Sequence, residues 1–299
     1  MSDLHPVDAQ GRPSLELEGL VASSVKVALV QTRTGLDQAR ALADIEPLLR
    51  EAAERGAEII LTPEASNILD RDPRRLAKAV QPAEFDPFLA GMRALAAELG
   101  CWILIGSGIF AGDQDRRAAN RAVLLNDTGG TVATYDKLHM FDFDLPTGET
   151  HRESDLYRAG DSAVLATTPW GPLGLTICYD LRFPHLHRAL AQAGATMIAV
   201  PAAFTATTGA AHWEILLRAR AIETGAFILA PGQGGLHEDG RTTWGRSMVA
   251  DPWGRVIAQA ADDEPGVVMA ELDLREVARI RAAVPSLRHD RRLPPVSEE

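Results

Sequence analysis

Cysteine is almost missing from this chain. Only Cys101 and Cys178 occur among 299 residues, which excludes a disulfide framework and suits a reducing compartment. Positive charge is also short: 30 Lys and Arg stand against 41 Asp and Glu, for a net charge of −11. Broad binding to nucleic acid or to an anionic membrane needs a basic surface, so neither is expected as a partner. No apolar run approaches membrane-spanning length. The stretch Met1–Ser24 is polar, holds Pro6 and Pro13, and lacks the basic start and apolar run of a secretory signal. The expectation is a soluble, cytoplasmic protein. Linkers rich in Ser, Gly or Pro, internal repeats and low-complexity tracts are absent too. So are zinc-like spacings; His185 and His187 stand two apart on an expected helix and cannot share a face.

What is present is apolar sequence, 46% of the chain, in alternating strand and helix patterns from Val25 to about Ala283. That argues for one α/β domain over residues 25–284, a polar extension over 1–24 and a tail over 285–299. Strands are expected at Val25–Val30, Glu58–Leu61, Cys101–Ile105, Arg121–Leu125, Val132–Tyr135, Leu173–Ile177, Met197–Val200, Phe227–Ala230, Ser247–Ala250, Val256–Ala258 and Val267–Leu272. Helices are expected at Leu36–Arg55, kinked at Pro47, and at Asp86–Leu99, Pro184–Ala193, Ala211–Thr224 and Leu274–Ala283. The second-last of these helices, Ala211–Thr224, should turn Trp213, Leu216, Leu217 and Ala221 inward and offer Glu214 and Arg218 as an i,i+4 pair. Phe141 to Gly160 reads as a long loop.

Three strand ends carry chemistry. The run Leu173–Ile177 stops at Cys178, polar residues follow, and then a helix. A thiol at such a turn projects from the end of the sheet, beside the backbone N–H groups of the helix start, which suits attack on a carbonyl. Glu64 stands just beyond strand Glu58–Leu61, its backbone restrained by Pro63. Lys137 closes strand Val132–Tyr135. Singly, the cysteine reads as a buried core residue and the two charges as solvated loop edges. Together they lie where open α/β sheets gather active sites. His212 is an alternative partner for Cys178, in the manner of papain-like proteases, and the residues alone leave it open. Two glycine clusters read as decoys: Gly106-Ser107-Gly108-Ile109-Phe110-Ala111 runs into an expected turn rather than a helix, and Gly232-Gln233-Gly234-Gly235 reads as a loop of close backbone approach.

The segments Leu61-Thr62-Pro63-Glu64, Tyr135-Asp136-Lys137-Leu138-His139 and Ile177-Cys178-Tyr179-Asp180-Leu181-Arg182-Phe183-Pro184, in this order, resemble the nitrilase superfamily of carbon–nitrogen hydrolases. The likeness runs from about Val25 to about Leu293. It implies a four-layer α-β-β-α sandwich, usually paired as a homodimer across the helices beside the nucleophile. It also implies a Glu64–Lys137–Cys178 triad, with a second glutamate, Glu153 or its neighbour Glu149, in the loop before the cysteine. By that likeness the enzyme would cleave an amide C–N bond through a cysteine thioester, with Lys137 and the Tyr179 backbone N–H as oxyanion donors and no metal or organic cofactor. Lys137–Pro146 and Thr208–Glu214 are similar to the Nit branch, whose substrates are small carboxylate-bearing amides. Deaminated glutathione is favoured over 2-oxoglutaramate, with Arg182, Phe204, Thr205 and Thr208 as candidate substrate contacts.

Overall fold

The computed structural model describes residues 23–112, 117–144 and 150–291. Glu149 lies outside them, as do most of the N-terminal extension, the end of the tail and the expected turn after Gly112.

Two sheets carry the fold. In the first, Ser24–Gln31 pairs antiparallel with Gly266–Asp273 on one side and parallel with Ile59–Leu61 on the other. Trp102–Phe110 continues in parallel, and the antiparallel strands Ala118–Leu125 and Thr131–Asp136 complete that path. The second sheet runs in the order Val256–Gln259, Met248–Ala250, Phe227–Ala230, Met197–Ala199, Gly171–Leu175, Val164–Thr168. Its three strands Phe227–Ala230, Met197–Ala199 and Gly171–Leu175 form two parallel pairings.

Side-chain alternation explains the layers. Val25, Val27 and Leu29 point at the second sheet, where they pack with Leu173, Leu175, Met197 and Leu229. Their neighbours Ala28 and Val30 point the other way, onto Ile45, Leu49, Phe88 and Met92 of helices Gln38–Glu54 and Pro87–Leu99. Likewise Ile198, Val200 and Ile228 of the second sheet meet Leu186, Leu190, Trp213 and Leu217 of helices Pro184–Gln192 and Ala206–Thr224. A strand buried on both faces must be apolar throughout, which is why these strands read as unbroken hydrophobic runs. The result is the four-layer α-β-β-α sandwich.

Local signals fix the element ends. Asp37 and Asp86 cap their helices by accepting from the backbone N–H of Arg40 and Leu89, and Gly100 closes the second in a left-handed conformation. The first helix runs unbroken through Pro47, which sits on its exposed face. Strand Trp102–Phe110 is longer than expected and absorbs Gly106-Ser107-Gly108. Gly106 is needed there for contact: a Cβ would lie 1.9 Å from the Thr62 carbonyl oxygen and 2.3 Å from Pro201 Cβ.

Other expectations are corrected. Helix Ala206–Thr224 begins five positions before Ala211, because Thr205 caps a first turn whose Thr and Gly content hides it. Within that helix Trp213, Leu217 and Ala221 are buried, Leu216 is only partly so, and Glu214 pairs with Arg218 at 3.1 Å. The long loop after Phe141 contains short strands at Asp142–Asp144, Thr150–Arg152 and Tyr157–Arg158. Strand Val164–Thr168 and helix Pro73–Ala79 were not anticipated. The start of the tail packs on its own chain, with Arg188 Nε donating to Asp290 Oδ1 at 2.9 Å. Among the described residues, no helix is long and apolar enough to cross a membrane.

Candidate active site

Glu64, Lys137 and Cys178, 114 positions apart from first to last, meet at the end of the two sheets. Glu64 follows strand Ile59–Leu61 after the Thr62-Pro63 turn, which is pinned by Ser107: its backbone N–H donates to the Pro63 carbonyl at 3.1 Å and its Oγ accepts from Ala65 N at 2.8 Å. Lys137 directly follows strand Thr131–Asp136, and its backbone N–H donates to the Asn120 carbonyl at 3.0 Å. Its Nζ donates to Glu64 Oε1 at 2.9 Å and to the two Glu153 oxygens at 2.7 and 2.9 Å. Glu153 opens a short 3₁₀ turn and is oriented by the Phe141 backbone N–H. All three ionisable side chains are buried. A buried cation between two carboxylates persists only when every charge is hydrogen-bonded, and here each one is.

Cys178 comes from the second sheet. It begins the 3₁₀ turn Cys178–Arg182 with φ +49°, a left-handed backbone that costs a non-glycine residue about 1 kcal/mol or more. The Cys178 backbone N–H donates to the Pro201 carbonyl at 2.8 Å, which holds the elbow in that shape. The Cys178 thiol faces Glu64 and lies within the field of Lys137. Tyr179 follows, its ring against Phe141 and Phe183 at centroid distances of 4.9 and 5.3 Å.

The electrostatics of the resting site follow from burial and from the excess of one carboxylate over one lysine. Burial pushes Glu64 up, but the Lys137 charge, the neighbouring Cys178 thiol and the hydrogen bonds from Lys137 and Asn120 outweigh it and hold Glu64 below the usual glutamate range. Burial would lower Lys137; Glu153 and Glu64 reverse that and raise it well above an ordinary lysine. Burial, with the Glu64 charge adding, raises Glu153 despite Lys137. For Cys178, burial and then Glu64 push the thiol well above its ordinary value, and Lys137 only partly offsets them. Lys137 thus favours the thiolate, but burial and Glu64 outweigh it: at rest the cysteine is a thiol facing a carboxylate, and a base must remove its proton.

The remaining candidates fall around this cluster. Arg182 lies within 3.3 Å of His212 Nδ1, and its guanidinium sits over the rings of Phe204 and Tyr179 at 5.4 and 5.9 Å. His212 thus meets an arginine. Phe204 is buried against Trp213. Thr205 and Thr208 bond to each other at 2.8 Å at the start of helix Ala206–Thr224, so their hydroxyls are engaged in capping.

Three contributors were not foreseen. Asn120 donates Nδ2 to Glu64 Oε1 at 2.9 Å, and the Ala203 backbone N–H donates to Oε2 at 2.9 Å. Gln233, fully buried in the glycine cluster, donates Nε2 to the Glu64 carbonyl at 3.0 Å and to Thr34 Oγ1 at 2.7 Å. The signal for Asn120 was a lone amide inside the apolar strand Ala118–Leu125. No sequence signal points to the Ala203 N–H.

Comparison with known proteins now decides the family. The carbon–nitrogen hydrolase profile matches residues 26–282. The chain belongs to the carbon–nitrogen hydrolase family. It is 38% identical to human deaminated glutathione amidase over 288 residues, covering 95% of this chain and 88% of that protein. The enzyme of the same name from Yersinia enterocolitica is 39% identical over 270 residues, covering 90% and 93%. The crystal structure of the C. elegans NitFhit protein superposes with a TM-score of 0.85 at 32% identity, covering 90% of this chain and 66% of that one. A mutant amidase from Nesterenkonia sp. AN1, 26% identical with a TM-score of 0.73 and covering 87% and 94%, carries the acetamide moiety of fluoroacetamide on its active-site cysteine. As a carbon–nitrogen hydrolase the chain is an amidohydrolase, and it carries its cysteine at the elbow described above.

Proposed function

We propose that this amidohydrolase cleaves a small, carboxylate-bearing linear amide through a thioester on Cys178, with deaminated glutathione preferred over 2-oxoglutaramate. One observation carries the chemistry: a half-buried thiol at the elbow faces Glu64, a buried carboxylate paired with a single lysine. Glu64 takes the thiol proton as the sulfur attacks the amide carbon. The two contacts from Lys137 to Glu153 can be served by one bifurcated hydrogen, which leaves a Lys137 N–H for the oxyanion beside the Tyr179 backbone N–H. Each such donor is typically worth about 3–4 kcal/mol. Glu64 then gives its proton to the departing amine, and takes one from the water that hydrolyses the thioester. Glu153 holds Lys137 in place throughout.

For the substrate, the names of the relatives and the chemistry of Arg182 agree. Its contacts are His212 and two ring faces, with no carboxylate among them, whereas most arginines of this acidic chain pair with Asp or Glu. Phe204, Thr205 and Thr208 would line the same wall. A carboxylate on Arg182 would supply remote binding energy that pins the scissile carbonyl between Cys178 and Lys137. Replacing that carboxylate by a neutral amide should lower kcat/KM by about 10-fold or more. Ammonia or amine release from deaminated glutathione, 2-oxoglutaramate, neutral amides, carbamoyl amino acids and nitriles decides the matter. Equal rates on neutral amides, or a preference for nitriles, would defeat the assignment; silence on all of them would favour a binding protein on this fold.

The working unit we propose is one domain, residues 25–284, acting in the cytoplasm as a homodimer. Ile215 and Ile222 lie seven apart on helix Ala206–Thr224 and are 70% and 58% exposed, and exposed Trp253 precedes Gly254, whose carbonyl accepts from Arg218 of that helix. Sedimentation velocity should give about twice the monomer mass, and Ile215→Asp should shift it to monomer. A wild-type monomer at micromolar concentration would reject this unit.

A further inference from the structure

The two halves of the site belong to different sheets. Glu64, Lys137 and Glu153 are carried by the first sheet and the loop beyond it, Cys178 by the second. Besides Glu64, which accepts from the Ala203 backbone N–H, another buried carboxylate joins them. Asp180, fully buried, accepts at Oδ2 from the Tyr135 hydroxyl at 2.6 Å and from the Ile177 backbone N–H at 2.8 Å. At Oδ1 it accepts from the His139 backbone N–H at 3.1 Å, and His139 Nδ1 lies 2.6 Å away. With the carboxylate as acceptor, Nδ1 is assigned the proton. Tyr135 and His139 flank Lys137 two positions to either side; Ile177 immediately precedes Cys178. The same Tyr135 hydroxyl also accepts from the Leu138 backbone N–H at 3.3 Å. Phe183, at the far end of the elbow, stacks on the His139 ring at a centroid distance of 3.6 Å and 8° between planes.

We propose that Asp180 is a positioning residue which sets the thiol of Cys178 in register with the Glu64–Lys137–Glu153 cluster. The inference rests on the catalytic roles proposed above. All four acceptor directions of the carboxylate are filled, two by the lysine-bearing segment, one by its ring nitrogen and one by the elbow. An amide at this position would keep one acceptor oxygen and turn an NH₂ toward donors, so one segment would have to let go. The elbow would then lose a restraint on a backbone already held in an unfavourable conformation. A displacement of the nucleophile by about 1 Å typically costs on the order of 100-fold in rate.

The test measures kcat and KM per functional site, counted by stoichiometric alkylation of Cys178. Asp180→Asn should lower kcat about 100-fold while moving KM less than about threefold. Tyr135→Phe keeps the ring and removes only the hydroxyl, and should lower kcat about 10-fold. A part that merely supports folding would lower the melting temperature and leave kcat per titrated site unchanged, and that result overturns the proposal. If Asp180→Asn does not fold, Tyr135→Phe decides alone: kcat within about twofold of wild type rejects the positioning role. Cys178→Ala, run alongside, separates the two layers of inference. Turnover in that variant rejects the nucleophile itself; its silence beside normal kcat in both other variants rejects only the role of Asp180.

Discussion

Replacing Cys178 by Ala is expected to abolish amide hydrolysis, by about 10⁴-fold or more, because removing a nucleophile disables every other member of the unit at once. Folding should survive. The side chain is only partly buried, and the elbow is held by backbone contacts to Pro201 and Asp180 that alanine keeps. The melting temperature should therefore move by only a few degrees, consistent with a change of about 1 kcal/mol. In the wild type, iodoacetamide should inactivate with one equivalent incorporated at Cys178. Cys101, buried with its thiol donating to the Ala57 carbonyl and pushed up by burial, should stay unlabelled. Substantial turnover in Cys178→Ala, or inactivation tracking Cys101, would remove the basis of the mechanism.

Lys137→Met should damage both activity and stability. The variant leaves Glu64 and Glu153 buried without their cation, a situation that typically costs about 3–5 kcal/mol. The loss should depend on pH, and its sign follows from which way each carboxyl moves. In the wild type the depressed Glu64 contributes stability above its unfolded value, and that contribution is lost as pH falls through the lowered one. The raised Lys137 contributes below the ordinary lysine range and loses this only as pH rises through its raised value. Without the lysine, burial drives both carboxyls above their unfolded values. Groups raised in the folded state stabilise it at low pH and withdraw that support as pH rises, so the variant should be weakest relative to wild type at neutral pH and above, and recover toward pH 5. Urea denaturation at pH 5 and pH 8 reads this directly. Equal stability of variant and wild type at pH 8 would mean that the ion cluster is not the buried unit described here.

Much of this site was legible because its chemistry sits at strand ends, where an apolar or alternating strand pattern stops and a reactive residue follows. Glu64, Lys137 and Cys178 each carry that mark, and the structure brings them to one place. Glu153 was found through family resemblance; its own surroundings, a polar loop, gave it no distinction from Glu149. The helix start at Ala206 was missed because Thr and Gly have low helix propensity, and a single capping bond from Thr205 overrode it. Short strands after Phe141 were missed for a related reason: two or three residues are too few to show a period. Asp180 and Asn120 were in plain sight as residues, yet their function depends on partners 41 to 56 positions away. Only the pairing of sheets makes such contacts visible. The balance of charge at the thiol is hidden on similar grounds, since the sequence shows Lys137 but not the burial and carboxylate charge that outweigh it.

The central claim is that an acyl group passes through Cys178, and acid-quenched mass spectrometry during turnover of deaminated glutathione tests it most directly. The account predicts a transient adduct with the mass of the acyl portion, carried on the peptide containing Cys178, labile to hydroxylamine and absent from Cys178→Ala. Turnover at full rate with that peptide unmodified throughout, or an adduct on any other residue, would contradict it.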